Sequence, residues 1–268
     1  MDKKVVLITG GSSGIGKSIG IYLTENGYKV YGTTRNLKRL SSFNSFELIE
    51  LDVTLKDTVS NAVQNIIDKE GRIDILINNA GVGITGPIEE TPVVEINKAF
   101  DTNFNGPIRM MQAVLPQMRK QKKGLIINIT SIAGNMGLPY RGIYSATKGA
   151  LSIATEAIRM ETKDFGIQIT DLAPGDFATN IATGRYHAPT GENTAYPSYN
   201  EVLKMINEDV DSAQNPIEVA KKVHEIIKRD KPKVHYSVGE FLQKFSLFLK
   251  RILPDTLYEK LLLNHYKL

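Results

Sequence analysis

The chain has 268 residues, of which 41% are hydrophobic, and it carries a formal net charge of +4. This length allows one large α/β domain or two small ones. The basic residues are spread along the chain, so the charge gives no argument for nucleic-acid binding. The lack of cysteine excludes disulfides, thiol nucleophiles and thiolate metal sites. The first apolar run, residues 5–9, is too short for a signal peptide or a membrane span, which favours a cytoplasmic protein.

The chain opens with a predicted strand, a glycine-rich turn and a helix. Residues 5–9 predict a strand buried on both faces, and a helical pattern follows over residues 17–26. The candidate phosphate-binding residues between them are Gly10, Ser12, Ser13, Gly14, Ile15 and Gly16. Glycines let the backbone approach a pyrophosphate, and a helix N-terminus offers free N–H donors. This opening therefore predicts a dinucleotide-binding site.

The end of the second predicted strand indicates which dinucleotide is bound. The strand covers residues 29–33 and is followed by Arg35, without the carboxylate that would accept hydrogen bonds from a ribose 2′-hydroxyl. Arg35 can pair with a 2′-phosphate through charge-assisted hydrogen bonds, which favours NADP(H) over NAD(H). An exposed loop arginine without a ligand is the alternative interpretation.

Further apolar runs complete the sheet. Strands are predicted over residues 47–51, 73–77, 125–130, 167–173 and 233–238. Helical patterns cover residues 58–69, 91–119 and 217–229. Buried strands that alternate with helices imply a doubly wound parallel sheet, here of about seven strands in a single Rossmann-like α/β domain.

A tyrosine and a lysine at helical spacing are candidates for proton transfer. Tyr144 and Lys148 stand at i and i+4 in a helix-compatible run, so they share one helical face. An ammonium at that distance favours the phenolate, lowers the phenol pKa from about 10 and makes it usable as an acid or base. Ser131 follows a predicted strand, where ligands of open α/β sheets gather. Taken alone, the Tyr–Lys pair also fits an ordinary surface helix.

These motifs jointly resemble the short-chain dehydrogenase/reductase family, in its single-domain, NADP-preferring branch. The matching elements span roughly residues 5–180 in the right order. They are Thr9-Gly10-x-x-x-Gly14-x-Gly16, Asn78-Asn79-Ala80-Gly81, Ser131 thirteen positions before Tyr144, Tyr144-x-x-x-Lys148, and Pro174-Gly175-x-x-x-Thr179.

The resemblance implies a catalytic set of Asn103, Ser131, Tyr144 and Lys148. Tyr144 would donate or accept the proton, and Ser131 would polarise the carbonyl. Lys148 would lower the pKa of Tyr144 and bind the nicotinamide ribose. Asn103 would hold a water through a helix distortion; a helix that ends and restarts at Gly106 is a second interpretation of the same sequence.

The resemblance also implies further cofactor-binding residues. They are Asp52 and Val53 beside the adenine, Asn79, Ala80 and Gly81 along the groove, and Pro174, Gly175 and Thr179 at the nicotinamide. An aspartate that only forms a turn would look the same as Asp52 in the sequence.

We expect residues 1–240 to form the catalytic domain, with an insertion near residues 180–215 that covers the substrate. The insertion is aromatic and has no basic cluster that demands an anionic substrate. Its aromatic residues would either stack on the substrate or pack against the domain.

Residues 241–268 are expected to form an amphipathic helical extension of the same domain. Its apolar residues Phe241, Leu242, Phe245, Phe248, Leu249, Ile252 and Leu253 fall on one helical stripe. The stripe fits core, a subunit contact or peripheral contact with a membrane surface, and it is too charged to span a bilayer.

The leading hypothesis is an NADP(H)-dependent oxidoreductase that interconverts a carbonyl and an alcohol on a hydrophobic small molecule. The family resemblance implies a dimer or tetramer. An NADP(H)-binding sensor or scaffold that acts through its apolar tail is the alternative, and a membrane-bound enzyme acting on retinoid-, steroid- or acyl-like substrates is a third possibility. The scattered histidines and the lack of a Gly-x-Ser-x-Gly motif argue against metal and acyl-transfer chemistry.

Overall fold

A computed structural model describes residues 3–40, 42–177, 184–189, 194–211 and 214–268. Its central sheet consists of parallel strands. The strands of this sheet are β1 (Val5–Ile8), β2 (Lys29–Thr34), β3 (Glu47–Glu50), β4 (Ile75–Asn78), β6 (Gly124–Ile129), β7 (Ile167–Pro174) and β9 (His235–Val238). The sheet has seven strands in the order β3-β2-β1-β4-β6-β7-β9. The predicted doubly wound α/β fold in a single domain is therefore confirmed, with strand ends shifted by one or two residues.

Helices connect these strands and cover both faces of the sheet. They are α1 (Gly14–Glu25), α2 (Lys56–Glu70), α3 (Val93–Phe100), α4 (Gly106–Gln121), α5 (Gly142–Glu161), α6 (Tyr199–Asp211), α7 (Ile217–Ile227), α8 (Phe241–Ile252) and α9 (Asp255–Tyr266). Crossover helices are the usual way to join parallel strands.

Strand β1 shows how the two hydrophobic cores arise. Side chains alternate between the faces of a strand, and all four residues of β1 are buried. Val5 and Leu7 belong to the core that contains α2 and α4 residues. Val6 and Ile8 belong to the core that contains α1 and α7 residues. A strand that must satisfy two cores is apolar at every position, which explains the continuous run in the sequence.

The order of the strands creates a crevice at their carboxyl ends. The chain builds outward from β1 through β2 to β3, and then crosses back so that β4 pairs with the other edge of β1. At such a switch point the connections leave in opposite directions, and a ligand crevice opens between them. The glycine-rich turn after β1 lies at this point.

The predicted break within residues 91–119 is a π-helical turn. Helix α3 runs directly into this turn, Asp101–Asn105, and the turn runs directly into α4. Pro107 occupies the first turn of α4, where its missing N–H costs no intrahelical hydrogen bond. The helix is therefore distorted at Asn103 and does not end and restart at Gly106.

The insertion contains structure that was not predicted from the sequence. Strand β5 (Ile84–Thr85) pairs in parallel with β8 (Tyr186–His187), forming a separate two-stranded sheet. The insertion also contributes α6, whose buried Val202 and Ile206 pack with Tyr266 of α9. The insertion and the C-terminal extension thus share a small core.

Helices α8 and α9 complete the described chain. The second of these two helices, α9, ends at Tyr266. Tyr258 is buried in a small core with Ile132 and Met136, next to the central strands. Within the described residues, no helix has the length and apolar character needed to cross a membrane.

Candidate active site

A cavity of about 1170 Å³ opens at the carboxyl ends of the central strands. The residues predicted from the sequence that line it are Gly10, Ser12, Ser13, Gly14, Ile15, Arg35, Asp52, Val53, Asn79, Ala80, Gly81, Ser131, Tyr144, Lys148, Pro174 and Gly175. Two more, Gly16 and Asn103, contact residues that line it: Gly16 packs against Gly10, and Asn103 is hydrogen-bonded to Val82. Thr179 lies outside the described residues.

The turn after β1 is shaped by two glycines. Gly10 has a φ of 64°, in the left-handed region that favours glycine. A Cβ on Gly16 would overlap the carbonyl oxygen of Gly10 and the side-chain amide of Asn79, so α1 can start close to β1 only with glycine there. Ser13 precedes α1, and within the described chain its side chain accepts no hydrogen bond from the first turn. The N–H groups of that turn therefore remain free to bind an anion.

Asn79 joins the end of β4 to the end of β1. Its backbone N–H donates to Thr9 Oγ1 at 3.0 Å, and its Nδ2 donates to the carbonyl oxygen of Thr9 at 2.9 Å. The N–H of Ala80 donates to the same Thr9 hydroxyl at 3.0 Å. These bonds hold the glycine turn and the Asn-Asn-Ala-Gly segment together as two walls of one cavity.

Arg35 and Asp52 lie at the ends of β2 and β3, on the cavity wall. The side chain of Arg35 is exposed. Oδ1 of Asp52 accepts hydrogen bonds from the N–H and hydroxyl of Thr54, at 2.9 and 2.7 Å. Asp52 thus both shapes its own turn and borders the cavity, so the two interpretations of this residue are compatible.

Asn103 is completely buried in the π-helical turn. Its Oδ1 accepts from the N–H of Val82 at 2.8 Å, and its Nδ2 donates to the carbonyl of Val82 at 2.9 Å. Nδ2 also donates to Thr147 Oγ1 at 3.2 Å. The side chain therefore ties the distorted helix to the segment after β4 and to α5. These three hydrogen bonds make its side chain a structural link.

Ser131, Tyr144 and Lys148 meet on the wall near β6 and α5. Ser131 Oγ accepts from the N–H of Ala133 at 3.2 Å, which fixes the hydroxyl at the end of β6. Lys148 is 4% exposed, and its Nζ donates to the carbonyl oxygen of Ile129 at 3.0 Å. The same Nζ lies 6.0 Å from the ring centre of Tyr144.

The pKa of Tyr144 lies above its ordinary value because the phenol is buried. Arg141 and a hydrogen bond from Ser131 act in the opposite direction and lower it. Burial also lowers the pKa of Lys148 to about 8. The expected lowering of the phenol pKa by Lys148 is therefore not found. The Lys148 ammonium is turned to a backbone carbonyl, and the positive charge that acts most on the phenol is that of Arg141.

Three charged residues of this wall were not assigned to the site from the sequence: Arg141, Asp176 and Arg185. Arg141 has its guanidinium carbon 5.9 Å from the Tyr144 ring centre and a nitrogen 3.8 Å from Asp176 Oδ1. Arg185 lines the same cavity. Its pKa is lowered by burial and then by Arg141. Arg141 stands three positions before Tyr144 and could have been noticed, whereas nothing in the insertion marked Arg185. Basic groups thus do face the cavity, although the insertion itself has no basic cluster.

The aromatic residues of the insertion have different surroundings. Tyr186 lines the cavity. The hydroxyl of Tyr199 donates to the carbonyl of Thr85 at 3.1 Å, and its ring lies 5.2 Å from that of Tyr140. Nδ1 of His187 lies 2.8 Å from the hydroxyl of Thr85. Packing against the domain therefore accounts for Tyr199, and only Tyr186 of these residues reaches the cavity.

Comparison with known proteins identifies the family of this chain. The sequence model of short chain dehydrogenase matches residues 4–189. The chain belongs to the short-chain dehydrogenase/reductase family. It is an oxidoreductase of this family, and the family resemblance seen in the sequence motifs is confirmed.

Relatives and solved structures match this dehydrogenase/reductase over nearly its whole length. It is 39% identical to 3-ketodihydrosphingosine reductase from Bacteroides thetaiotaomicron, covering 97% of this chain and 96% of the relative. A short-chain dehydrogenase from Streptomyces avermitilis is 29% identical with a TM-score of 0.84, covering 100% of this chain and 97% of that one. The structure of ElxO with NADP bound is 31% identical with a TM-score of 0.72, covering 88% of this chain and 97% of that one.

Proposed function

We propose that the protein is an NADP(H)-dependent reductase that interconverts a carbonyl and an alcohol on a hydrophobic, long-chain substrate. The observation that carries this proposal is one continuous cavity. At one end it has the glycine turn and Arg35, and at the other it has Ser131, Tyr144 and Lys148. A binding protein needs the first set only, whereas proton transfer to a carbonyl needs the second.

The residues around the glycine turn fit a dinucleotide diphosphate. Free N–H groups at the start of α1 and the positive end of its dipole attract an anion. Arg35 is exposed on the wall at the end of β2, where it can pair with a 2′-phosphate. The remaining cofactor contacts proposed are Asp52 and Val53 at the adenine, together with Asn79 to Gly81, Pro174, Gly175 and Thr179 along the nicotinamide half. NADPH, when bound, supplies the hydride.

Tyr144 acts as the general acid in reduction. A phenol with a raised pKa keeps its proton at neutral pH, so the O–H is available for donation to a carbonyl oxygen. Ser131 presents a hydroxyl beside the phenol and orients that oxygen. In the oxidation of an alcohol the same oxygen, deprotonated, accepts the proton.

Lys148 and Asn103 support the proton donor. With a pKa of about 8, Lys148 can release and regain a proton close to neutral pH. The π-helical turn at Asn103 leaves backbone carbonyls outside the regular α-helical pattern, which is the distortion expected for a water site. We assign Lys148 to the nicotinamide ribose and to proton supply, and Asn103 to the positioning of that water.

Similarity to a named reductase and one feature of the cavity support the proposed substrate class. The relative from Bacteroides thetaiotaomicron is named for a long-chain amino ketone, and the similarity extends over almost all of both chains. We therefore infer 3-ketodihydrosphingosine, or a ketone with a similar alkyl chain, as the first substrate to test. Asp176 is the carboxylate on the wall near Tyr144 that could face an ammonium group.

A cofactor-oxidation screen tests the proposal. The purified protein is assayed with NADPH and with NADH against 3-ketodihydrosphingosine, a steroid ketone and a short ketone as the matched small control. We expect turnover with NADPH and a kcat/KM at least about tenfold higher for the long-chain ketone than for the short one. Tight NADPH binding without turnover of any carbonyl or alcohol would instead favour a sensor or scaffold.

A further inference from the structure

Helix α8 presents a row of exposed aromatic side chains. Phe241 is 74% exposed, Phe248 is 54% exposed and Ile252 is 56% exposed, with Phe245 at 40% between them. Positions 241, 245, 248 and 252 share one face of a helix. Side chains of this size are rarely left in water as a contiguous set unless the surface binds something.

The rings of this row are packed on one another. Phe241 and Phe245 are stacked with ring centres 5.7 Å apart, and Phe245 and Phe248 are stacked at 5.9 Å. Other side chains of α8 have partners within the chain, because Leu247 and Leu249 pack on the core around Tyr258. The apolar stripe that the sequence analysis found in α8 therefore divides into two surfaces. One is core, and the other, which we call the phenylalanine row (Phe241, Phe245, Phe248 and Ile252), faces outward.

Positive charge accompanies the phenylalanine row. Lys244 and Arg251 are exposed and fall beside the row on the helical surface. Residues 241–268 contain five Lys/Arg and two Asp/Glu, a net charge of +3, whereas the whole chain has +4. Counted by residue, the basic side chains are spread along the chain, but most of the net positive charge lies in residues 241–268. An apolar row with cations beside it complements an anionic lipid surface.

The length and position of α8 determine how the helix would be oriented on a lipid surface. Twelve residues give a helix of about 18 Å, too short for a hydrocarbon core of about 30 Å, so the helix would lie flat in the interface. Gln243, on the inner side of α8, donates to Asp176 Oδ2 at 3.0 Å, and Asp176 lines the catalytic cavity. A bilayer under α8 would therefore lie next to the cavity wall.

We propose that the phenylalanine row docks this protein on the surface of an anionic lipid bilayer. The burial of its rings among acyl chains supplies the apolar free energy, and Lys244 and Arg251 add attraction to anionic headgroups. This inference concerns a surface outside the catalytic cavity, so it stands or falls separately from the proposed reaction.

Vesicle flotation tests the docking. The full-length protein is mixed with vesicles of phosphatidylcholine alone or with a third of phosphatidylglycerol. We expect it to float with the anionic vesicles and to float less as salt is raised. The variant Phe245→Ser/Phe248→Ser should reduce binding by at least about tenfold, and Lys244→Gln/Arg251→Gln should remove the preference for anionic lipid.

The control variant is Ile153→Ser/Met160→Ser, which changes two side chains of α5 that are 69% and 66% exposed. It should float as the unchanged protein does. Circular dichroism and NADPH titration check that every variant is folded. The inference is overturned if the unchanged protein does not float, or if the control variant loses as much binding as the α8 variant. It is also overturned if the α8 variant only changes the oligomeric state in sedimentation, since the row would then be a contact between two copies.

Discussion

Lys148 is a buried cation, and its burial is unfavourable for folding. Burial lowers its pKa from 10.5 to about 8, which corresponds to about 3 kcal/mol of free energy lost when a charged lysine is buried. The hydrogen bond from its Nζ to Ile129 offsets about 1 kcal/mol of this loss. A side chain that destabilises the fold at neutral pH is retained when its chemistry is needed, which agrees with the proposed role of Lys148 in proton supply.

Lys148→Met should therefore raise the free energy of unfolding by about 2 kcal/mol at pH 7. The folded pKa is below the unfolded one, so the folded protein loses this proton first as pH rises. The advantage of the variant should shrink between pH 8 and pH 10.5. Urea unfolding at pH 7 and pH 10 measures this, with the exposed Lys120→Met as the control. A variant less stable than the parent at pH 7, or a gain that does not change with pH, would contradict the prediction.

Arg141 controls the charge state of Tyr144 more than any other cation near the phenol. Arg141→Gln should raise the pKa of Tyr144 further, because it removes this cation and, with it, the ion-pair partner of Asp176 near the ring. The alkaline limb of the pH profile of kcat/KM for reduction should move to higher pH. Arg141→Lys keeps the charge and should leave the limb near its original place. A shift to lower pH in Arg141→Gln would show that another group controls the phenol.

The residue types at the cavity were readable from the sequence, but their electrostatic roles were not. The spacing of Tyr144 and Lys148 correctly put both side chains on one wall. It could not reveal that Lys148 turns to the carbonyl of Ile129, because that oxygen is in another element, β6, and the contact depends on how β6 and α5 pack. The charge of Arg185 also acts on the phenol, from another segment of the chain. Interactions between separate segments leave no local pattern in the sequence.

At the scale of elements, the end of β2 determines the proposed preference for NADP(H). Arg35 is an exposed side chain on the cavity wall, and Lys38 is an exposed neighbour outside the wall. Arg35→Ala should weaken NADPH binding by about tenfold to a hundredfold, the range of a charge-assisted hydrogen bond, and should change NADH binding little. Fluorescence titration of both cofactors measures this, with Lys38→Ala as the control. Equal losses for NADPH and NADH would contradict the 2′-phosphate assignment.

The long elements were predictable because their patterns are repeated over several turns or buried positions. Strand β1 and helix α1 followed from an apolar run and a glycine turn. Strands β5 and β8 have two residues each, too few to show a period of two. The π-helical turn could not be predicted with one interpretation, because the sequence around Asn103 permits either a helix that ends and restarts or a continuous helix with a distortion. The stripe in α8 was left with three interpretations, because period alone does not separate an inner from an outer face.

At the scale of the whole molecule, the fold places distant motifs at one edge of the sheet. The carboxyl ends of β1, β4, β6 and β7 all meet the cavity, so Gly10 and Gly175, which are far apart in the chain, line the same cavity. This convergence follows from parallel strands with crossover helices, which the alternation of patterns in the sequence already predicted. The sequence did not predict how the insertion and the C-terminal helices share a core, because their small contacts depend on tertiary packing.

The central claim, that Tyr144 delivers the proton to the substrate, is tested most directly by Tyr144→Phe. The variant keeps the ring and removes the hydroxyl. With the best ketone of the screen, kcat should fall by about a thousandfold or more, while the Kd of NADPH measured by fluorescence should change by less than about threefold. If the variant retains kcat within about tenfold of the parent while NADPH is bound, Tyr144 is not the proton donor and the proposed mechanism is wrong.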